Sequence, residues 1–486
     1  MVSTSNTRIE NAGSSANDGI YFGVPTVFQL SATPAQLAQF LNSADSDIAI
    51  FGAGWTGHSI IAACPLVEIS LDMTGDQCTL TRKNKHHGSS SEWTVVENQN
   101  AGTISQGLQT MCSQMEAACA IGDTQHTTPL PDGVGWIGYI SYDAGRGIEL
   151  LGGRVTSSLA TFRCYRHYYI SIDSEHWLLV SAGVARAADD SALDEMKSSV
   201  SKAATEVPVP PVTIAGLVSP DRLEYINAVH RAQQYIADGD IYQINISRRW
   251  EANTADPLAL WTAMYAASPG RYSAFVSEGK RAICSTSPEL FLSKRNGRLI
   301  TRPIKGTHPR DAVNPQRDQI AAQYLLQNPK ERAELAMISD LLRNDLGRVC
   351  QIGTVKILAE RQIECLPAVW QTYSSITGES SLGWGDILCG MLPGGSITGV
   401  PKIRAMQIID ELEHHARGIY CGNIGWLHPG VGCFNIAIRT AVWEGGRLQY
   451  CAGAGIVADS DAEREYDEIC AKARVVTSLI GGGRVD

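Results

Sequence analysis

Two short segments of the chain set acidic side chains three residues apart. In NPKERAELAMISDLLRNDLGR, Glu331 and Glu334 share one helix face, and Glu334 also lines up with Ile338, Leu341 and Asp345. That spacing puts a carboxylate on or beside the apolar stripe. In SDAEREYDEICAKARVVTSLI, Glu465, Glu468 and Lys472 fall at i, i+3 and i+7, beside a stripe of Tyr466, Ile469, Ala473 and Val476. Two such faces could supply a cluster of hard oxygen ligands, and Mg²⁺ is usually held by a few carboxylates plus waters and a substrate anion. The ordinary alternative is a solvated face, with Glu331 and Glu334 paired to Lys330 and Arg332.

A second group of residues suits anions. In MLPGGSITGVPKIRAMQIIDELE, Gly394, Gly395 and Gly399 surround Ser396 and Thr398, and Pro401 begins a helix, with Lys402 and Arg404 nearby. Backbone N–H groups exposed at such a helix start bind anions. The spacing is not that of a P-loop, so a carboxylate fits as well as a phosphate. Arg439 in FNIAIRTAV, and Gly453 and Gly455 in YCAGAGIVADS, add possible anion contacts. In TSPELF, Glu289 follows a proline among apolar neighbours that could raise its pKa toward general-acid duty. In TRPIKGTHPR, Lys305 stands between Ile304 and Gly306, either as a solvated loop charge or as a reactive amine.

FGAGWTG sets Gly52, Gly54 and Gly57 in a GxGxxG pattern after the strand-like DIAIF, with Asp72 following. A dinucleotide site, as in an oxidoreductase, needs a full crossover helix at the third glycine. Pro65 cuts the segment HSIIAAC to about two turns, and bulky Trp55 sits in the loop, so a glycine-rich hairpin is expected.

The elements that must position these residues divide at ATEVPVPPVTIAGLVSP, where four prolines favour an extended linker. We expect a polar leader over 1–20, an N-terminal region over 21–205, a linker over 206–218, a catalytic region over 219–480 and a tail over 481–486. Strand-like runs dominate the first half, interrupted by the helical TPAQLAQFLNSA and ISQGLQTMCSQMEAACAIG. In the second half, Ser219 and Pro220 read as N-cap and N1 of a helix with Leu223, Ile226, Val229 and Ile236 inward. Ser460 and Glu463 read as a capping box. The strand IYQINIS sets Gln243, Asn245 and Ser247 on one all-polar face, the wall of a polar cavity or a plain solvent face. The chain has 486 residues, 44% hydrophobic and 19% charged, with ample material for a core. A net charge of −10 argues against nucleic-acid binding, which needs a basic face. Thirteen cysteines with no CxxC pair fit reduced thiols in the cytoplasm.

The segments DGDIYQINISR, SPELF, TRPIKGT, ERAELAMISDLLRNDLGRV, LPGGSITGVPKIRAMQIIDELE, RGIYCGNIGW, FNIAIRTA and AGAGIVADSDAEREYDEICAKA follow one another in order. Together they resemble the chorismate-utilising enzymes, which include anthranilate, aminodeoxychorismate, isochorismate and salicylate synthases. The resemblance covers residues 219–479 and reaches into the first half at GVGWIGYISYDAGRGIE. It implies an α/β (α+β) fold of large, mostly antiparallel sheets packed orthogonally in a sandwich, with helices outside. It also implies that Glu334 and Glu468 ligate Mg²⁺, supported through waters by Glu331 and Glu465, and that the metal holds the ring carboxylate of chorismate. Glu289 becomes the acid that protonates the departing C4 hydroxyl. Ser396, Tyr420, Arg439, Gly453 and Lys472 match positions that bind substrate carboxylates, with Thr398 and Gly455 in the same motifs.

Two positions separate the branches of this family. Isochorismate and salicylate synthases carry a basic lysine where this chain has Gln243, so water chemistry is disfavoured. Anthranilate synthases resemble PIAGT where this chain reads PIKGT, the pattern of the aminodeoxychorismate synthases. The resemblance therefore implies amination of chorismate at C4 through a Lys305 adduct, giving 4-amino-4-deoxychorismate for 4-aminobenzoate and folate. An ammonium in a closed pocket beside a metal is pushed toward the free amine that such a role needs. Ammonia would come from a separate glutamine amidotransferase subunit, since no glutaminase-like segment is evident. The nearest rival is an anthranilate synthase with an atypical lysine. ASPGRYSAF, at 267–275, departs from the NPSPYM-like segment of tryptophan-inhibited relatives, so tryptophan inhibition is not expected.

Overall fold

The computed structural model describes residues 20–22, 26–29, 33–43, 47–85, 93–122, 131–151, 154–174, 176–184, 212–311, 313–366 and 369–480. Nearly all of the expected leader, the first part of the linker and the tail lie outside those residues. The end of the linker does not behave as one. Ala215–Val218 is a strand paired antiparallel with Gln243–Asn253.

Two long strands organise the sheets. Ile60–Thr74 and Ser158–Ser171 pair antiparallel, with a register shift between Pro65 and Val67. Pro65 has no N–H to give the ladder, and Cys64 beside it has a positive φ of 58°, so the strand bends there. Its first part pairs with Ile48–Phe51 and its second with Gln77–Lys85, which divides the pairing into two branches.

One branch runs from Ser158–Ser171 through Trp136–Ile140, Asn423–His428, Val431–Asn435, Leu290–Arg295 and Arg298–Arg302 to Val369–Glu379. The other runs from Ile48–Phe51 through Tyr272–Glu278, Arg281–Ser287, Thr440–Glu444 and Arg447–Ile456 to Gln243–Asn253. Every one of these pairings is antiparallel. Because first-half strands pair directly with second-half strands in both branches, the two halves share their sheets. Two apolar clusters fill the interior, one around Trp136, Tyr165 and Phe434, the other around Tyr225, Ile244 and Ile469.

The glycine-rich FGAGWTG is the expected hairpin, with Phe51 opposite Ile60, and HSIIAAC continues as strand. A Cβ at Gly54 would stand 1.8 Å from the Arg271 carbonyl oxygen, so that glycine serves close backbone packing. Among the described residues no helix is long and apolar enough to cross a membrane. Among the described residues none of the thirteen cysteines forms a disulfide.

Helix starts depart from the sequence reading in two places. Asp221, not Ser219 or Pro220, caps Arg222–Ala237 and accepts from the Glu224 N–H. Its buried stripe is Tyr225, Ala228, Val229 and Ala232, while Leu223 is 68% exposed. Asp461, not Ser460, caps Ala462–Thr477 and accepts from the Arg464 N–H. In both cases a carboxylate close by outcompetes the serine for the first free N–H groups, as a charged acceptor can. Pro329–Gly347 starts as expected, with Asn328 accepting from Lys330 and Glu331.

Candidate active site

Glu289 joins the strands Arg281–Ser287 and Leu290–Arg295 and is buried at 6% exposure. Ser396, in the short 3₁₀ turn Gly395–Ile397, donates its hydroxyl to Glu289 Oε1 at 2.7 Å. Burial raises the Glu289 carboxyl to about 7, against the opposing pull of the Ser396 bond and the Lys305 charge. A carboxyl poised there can carry a proton near neutral pH and release it to a departing oxygen.

Lys305 lies on Ile304–Pro309, opposite Thr372, whose hydroxyl donates to the Lys305 carbonyl oxygen. The ladder slips between Lys305 and Thr307, where Gly306 has φ of 77°. The amine points inward: Nζ lies 3.6 Å from where a Cβ on Gly455 would stand. Its charge is felt by Glu289 on one side and by Glu331 on the other.

The floor beneath that amine is a strand pair. Gly455 lies opposite Asn245, and Gly453 opposite Ser247. A Cβ on Gly453 would sit 2.9 Å from both the Ile246 carbonyl oxygen and the Tyr420 hydroxyl, and one on Gly455 would sit 2.7 Å from Gln243 Nε2. The glycines thus leave space that side chains would close. Gln243 and Ser247 are buried, so the polar face of this strand is an interior wall. Among the described residues Gln243 Oε1 has no hydrogen-bond partner. Tyr420 is buried, and burial raises its phenol well above the ordinary value. The Thr398 hydroxyl donates to the Gly394 and Gly395 carbonyls.

Arg439 holds a left-handed conformation, φ 49°, unusual for a residue with a side chain. Burial pulls its guanidinium below the ordinary value, partly offset by Tyr450. Among the described residues its side chain makes a single hydrogen bond, a 3.4 Å contact with Ser268 Oγ. A desolvated guanidinium so weakly satisfied is suited to a carboxylate.

Glu331 and Glu334 are half-buried on Pro329–Gly347, while Lys330 reaches toward Asp459 at 3.8 Å instead of pairing with them. Burial raises the Glu331 carboxyl; Glu334 adds to this, Lys305 and Arg361 oppose it, and Glu468 of the other helix adds again. Burial likewise raises Glu465, opposed by its bond to Ser460 and reinforced by Glu468. Glu331 thus feels Glu334 on its own helix and Glu468 on the other, and Glu465 feels Glu468.

Among the described residues no group of three or more His, Cys, Asp or Glu side chains converges tightly enough to cage a metal ion. Lys472 donates to the Gly453 carbonyl at 2.8 Å and pairs with Glu468 at 2.7 Å, so its ammonium already has carboxylate and carbonyl partners. An all-oxygen donor set, mutually repelling and only partly neutralised, suits a hard divalent cation that keeps waters and a substrate oxygen in its shell.

Sequence reasoning missed the buried frame behind this floor. Arg417 donates to Glu413, to the Ile397 carbonyl and to the Asn245 carbonyl, while Ser247 donates to Glu413 through both N–H and hydroxyl. Burial alone would push the Glu413 carboxyl up, but Arg417 outweighs it and holds the group low. Its signal in LEHHARG was an acid and a base four apart beyond a helix end, a pattern usual for a surface pair.

A family model described as chorismate binding enzyme matches residues 76–478. The chain is 35% identical to aminodeoxychorismate synthase component 1 of Klebsiella aerogenes over 77% of this chain and 83% of that protein. It is 41% identical to anthranilate synthase component 1 of Thermus thermophilus over 53% of this chain and 57% of that protein. The structure matches anthranilate synthase component I of Streptococcus pneumoniae with a TM-score of 0.69 at 28% identity, covering 86% of this chain and 91% of that one. The chain belongs to the chorismate-binding enzyme family. The mixed α/β fold with extensive antiparallel sheet is the one its motifs imply.

Proposed function

We propose that this enzyme aminates chorismate at C4, as component 1 of an aminodeoxychorismate synthase. The observation that carries the reading is the inward amine of Lys305, set between the Glu289 carboxyl and the open floor at Gly455. Relatives named aminodeoxychorismate synthase component 1 support it at 35% and 37% identity over most of the chain.

Arg439, Tyr420 and the floor at Gly453 hold the carboxylates of chorismate. Glu334 and Glu468, with Glu331 and Glu465 behind them through waters, would hold Mg²⁺, which when bound neutralises the ring carboxylate. Glu289 gives its proton to the C4 oxygen, which leaves as water. The lone pair of the Lys305 amine forms a bond to C2 as the ring double bonds shift toward C4. Ammonia then bonds to C4, the double bonds shift back, and the C2–nitrogen bond breaks to return the lysine. Solvent re-protonates Glu289, so the sum is chorismate plus ammonium giving 4-amino-4-deoxychorismate plus water. A glutamine amidotransferase subunit supplies the ammonia, and pyruvate loss to 4-aminobenzoate is left to a separate lyase.

Incubation with chorismate, Mg²⁺ and an ammonium salt tests the assignment. The expected product has the mass of aminodeoxychorismate, with no pyruvate. Fluorescent anthranilate with released pyruvate would replace this reading by anthranilate synthesis, the activity in the name of the Thermus relative.

A further inference from the structure

The Ser396–Glu289 bond depends on a turn, and that turn is fastened from below by a buried ion pair. Lys402 Nζ lies 2.6 Å from Asp345 Oδ1, with side-chain exposures of 8% and 1%. The same ammonium donates to the Pro393 carbonyl at 3.2 Å. Lys402 is the first residue of the helix Lys402–Leu412, and Asp345 lies near the end of Pro329–Gly347, the helix that carries Glu331 and Glu334. Between Pro393 and Lys402 runs the turn with Ser396 at its crest. A Cβ on Gly395 would sit 3.1 Å from Asp345 Oδ2 and 2.7 Å from the Leu341 side chain, so the turn lies directly on the acidic helix. From the other side Arg417 holds the Ile397 carbonyl, and the Asn245 N–H holds the Thr398 carbonyl.

We propose that Asp345 and Lys402 are positioning residues, locking the Ser396 turn onto the helix of Glu331 and Glu334 so that the Ser396 hydroxyl stays on the Glu289 carboxyl. Neither residue touches the reacting atoms. Their effect reaches the chemistry through one hydrogen bond. The inference rests on Glu289 acting as the general acid. The charged or titratable groups facing Glu289 are Lys305 from its strand and Cys421 from the segment ahead of Asn423–His428. Those facing Asp345, besides Lys402, are Arg348 and Glu149. Neither Asp345 nor Lys402 is among the groups that act on the Glu289 carboxyl, so a change at Glu289 on removing the pair reports the turn.

Removing one partner strands a buried charge, so both are replaced together by apolar residues, Asp345→Leu with Lys402→Met. Asp345→Glu, which keeps the charge on a longer arm, is the second variant. Ser396→Ala is the reference. The carboxyl band of Glu289 is titrated by infrared difference against Glu289→Gln, alongside kcat, KM and the pH profile with chorismate and ammonium salt. Loss of the hydroxyl donor lets Glu289 keep its proton to higher pH. The expected result is an upward shift of the titration and of the alkaline limb in Ser396→Ala, reproduced by the double variant and smaller in Asp345→Glu. With it, kcat falls about tenfold or more while KM for chorismate stays within about twofold. If Ser396→Ala shifts the titration and neither pair variant does, the positioning role is overturned and the general acid stands. If the titration shifts in all three but the alkaline limb does not follow, Glu289 is not the acid and the pair still positions the turn.

Discussion

Lys305 Nζ ends 3.6 Å from the point where Gly455 would carry a Cβ. The lysine comes from one branch of the sheets and the glycine from the other, so the amine and the floor it faces meet only in the folded chain. Gly455→Ala tests how much of that space is used. The new methyl would meet Gln243 Nε2 at 2.7 Å, the far end of a flexible side chain that can turn aside. The variant should therefore fold, with stability within about 1 kcal/mol of the parent. Its kcat/KM for chorismate should fall about tenfold or more. Parent-like kinetics in a folded Gly455→Ala protein would show that the substrate does not lie there.

Glu289 should leave a mark on stability as well as on rate. Its carboxyl sits at about 7 when folded, against an ordinary value of 4.5. A raised acid is protonated in the folded chain where the unfolded chain has already ionised. Its presence therefore lowers stability as pH climbs from about 4.5 through 7, and the loss is complete above that. Glu289→Gln, which cannot ionise, should be more stable than the parent at pH 8 by up to about 3 kcal/mol, with the gap closing toward pH 4. Urea denaturation at the two pH values reads this directly. A constant difference between parent and variant would mean that Glu289 titrates as an ordinary carboxyl.

Lys472 occupies the carboxylate that a cation would need, 2.7 Å from Glu468. Metal binding must therefore displace or share that contact. Lys472→Met removes the competing positive charge, and calorimetric titration with Mg²⁺ alone should show affinity about threefold tighter than the parent, the scale of an exposed ion pair. KM for chorismate should rise in the same variant, because its ammonium also serves the Gly453 carbonyl at the floor. Weaker Mg²⁺ binding would place the cation away from Glu468.

Much of this site could be read before any coordinates, because local patterns carry it. The cap of Pro329–Gly347, the glycine hairpin after Phe51 and the polar face from Gln243 to Ser247 are all set by neighbours in sequence. What escaped is carried by distance along the chain. Ser396 and Glu289 are 107 residues apart, and nothing near either predicts that one hydroxyl meets that carboxyl. The caps at Asp221 and Asp461 escape because acid and serine lie within two residues of each other, and only the backbone's path decides which reaches the free N–H groups. Asp345 is visible on its helix, but its partner Lys402 looks in the sequence like part of an anion site. The fold turns that ammonium inward to the Pro393 carbonyl instead.

Covalent bonding of Lys305 to the ring, as proposed, can be measured directly. Protein free of ammonia, mixed with chorismate and Mg²⁺, quenched within a turnover and digested, should yield the peptide containing Lys305 heavier by chorismate less one water, as read by mass spectrometry. The adduct should vanish on adding ammonium salt and never form in Lys305→Ala. An unmodified peptide, together with aminodeoxychorismate made at the parent rate by Lys305→Ala, would contradict the account.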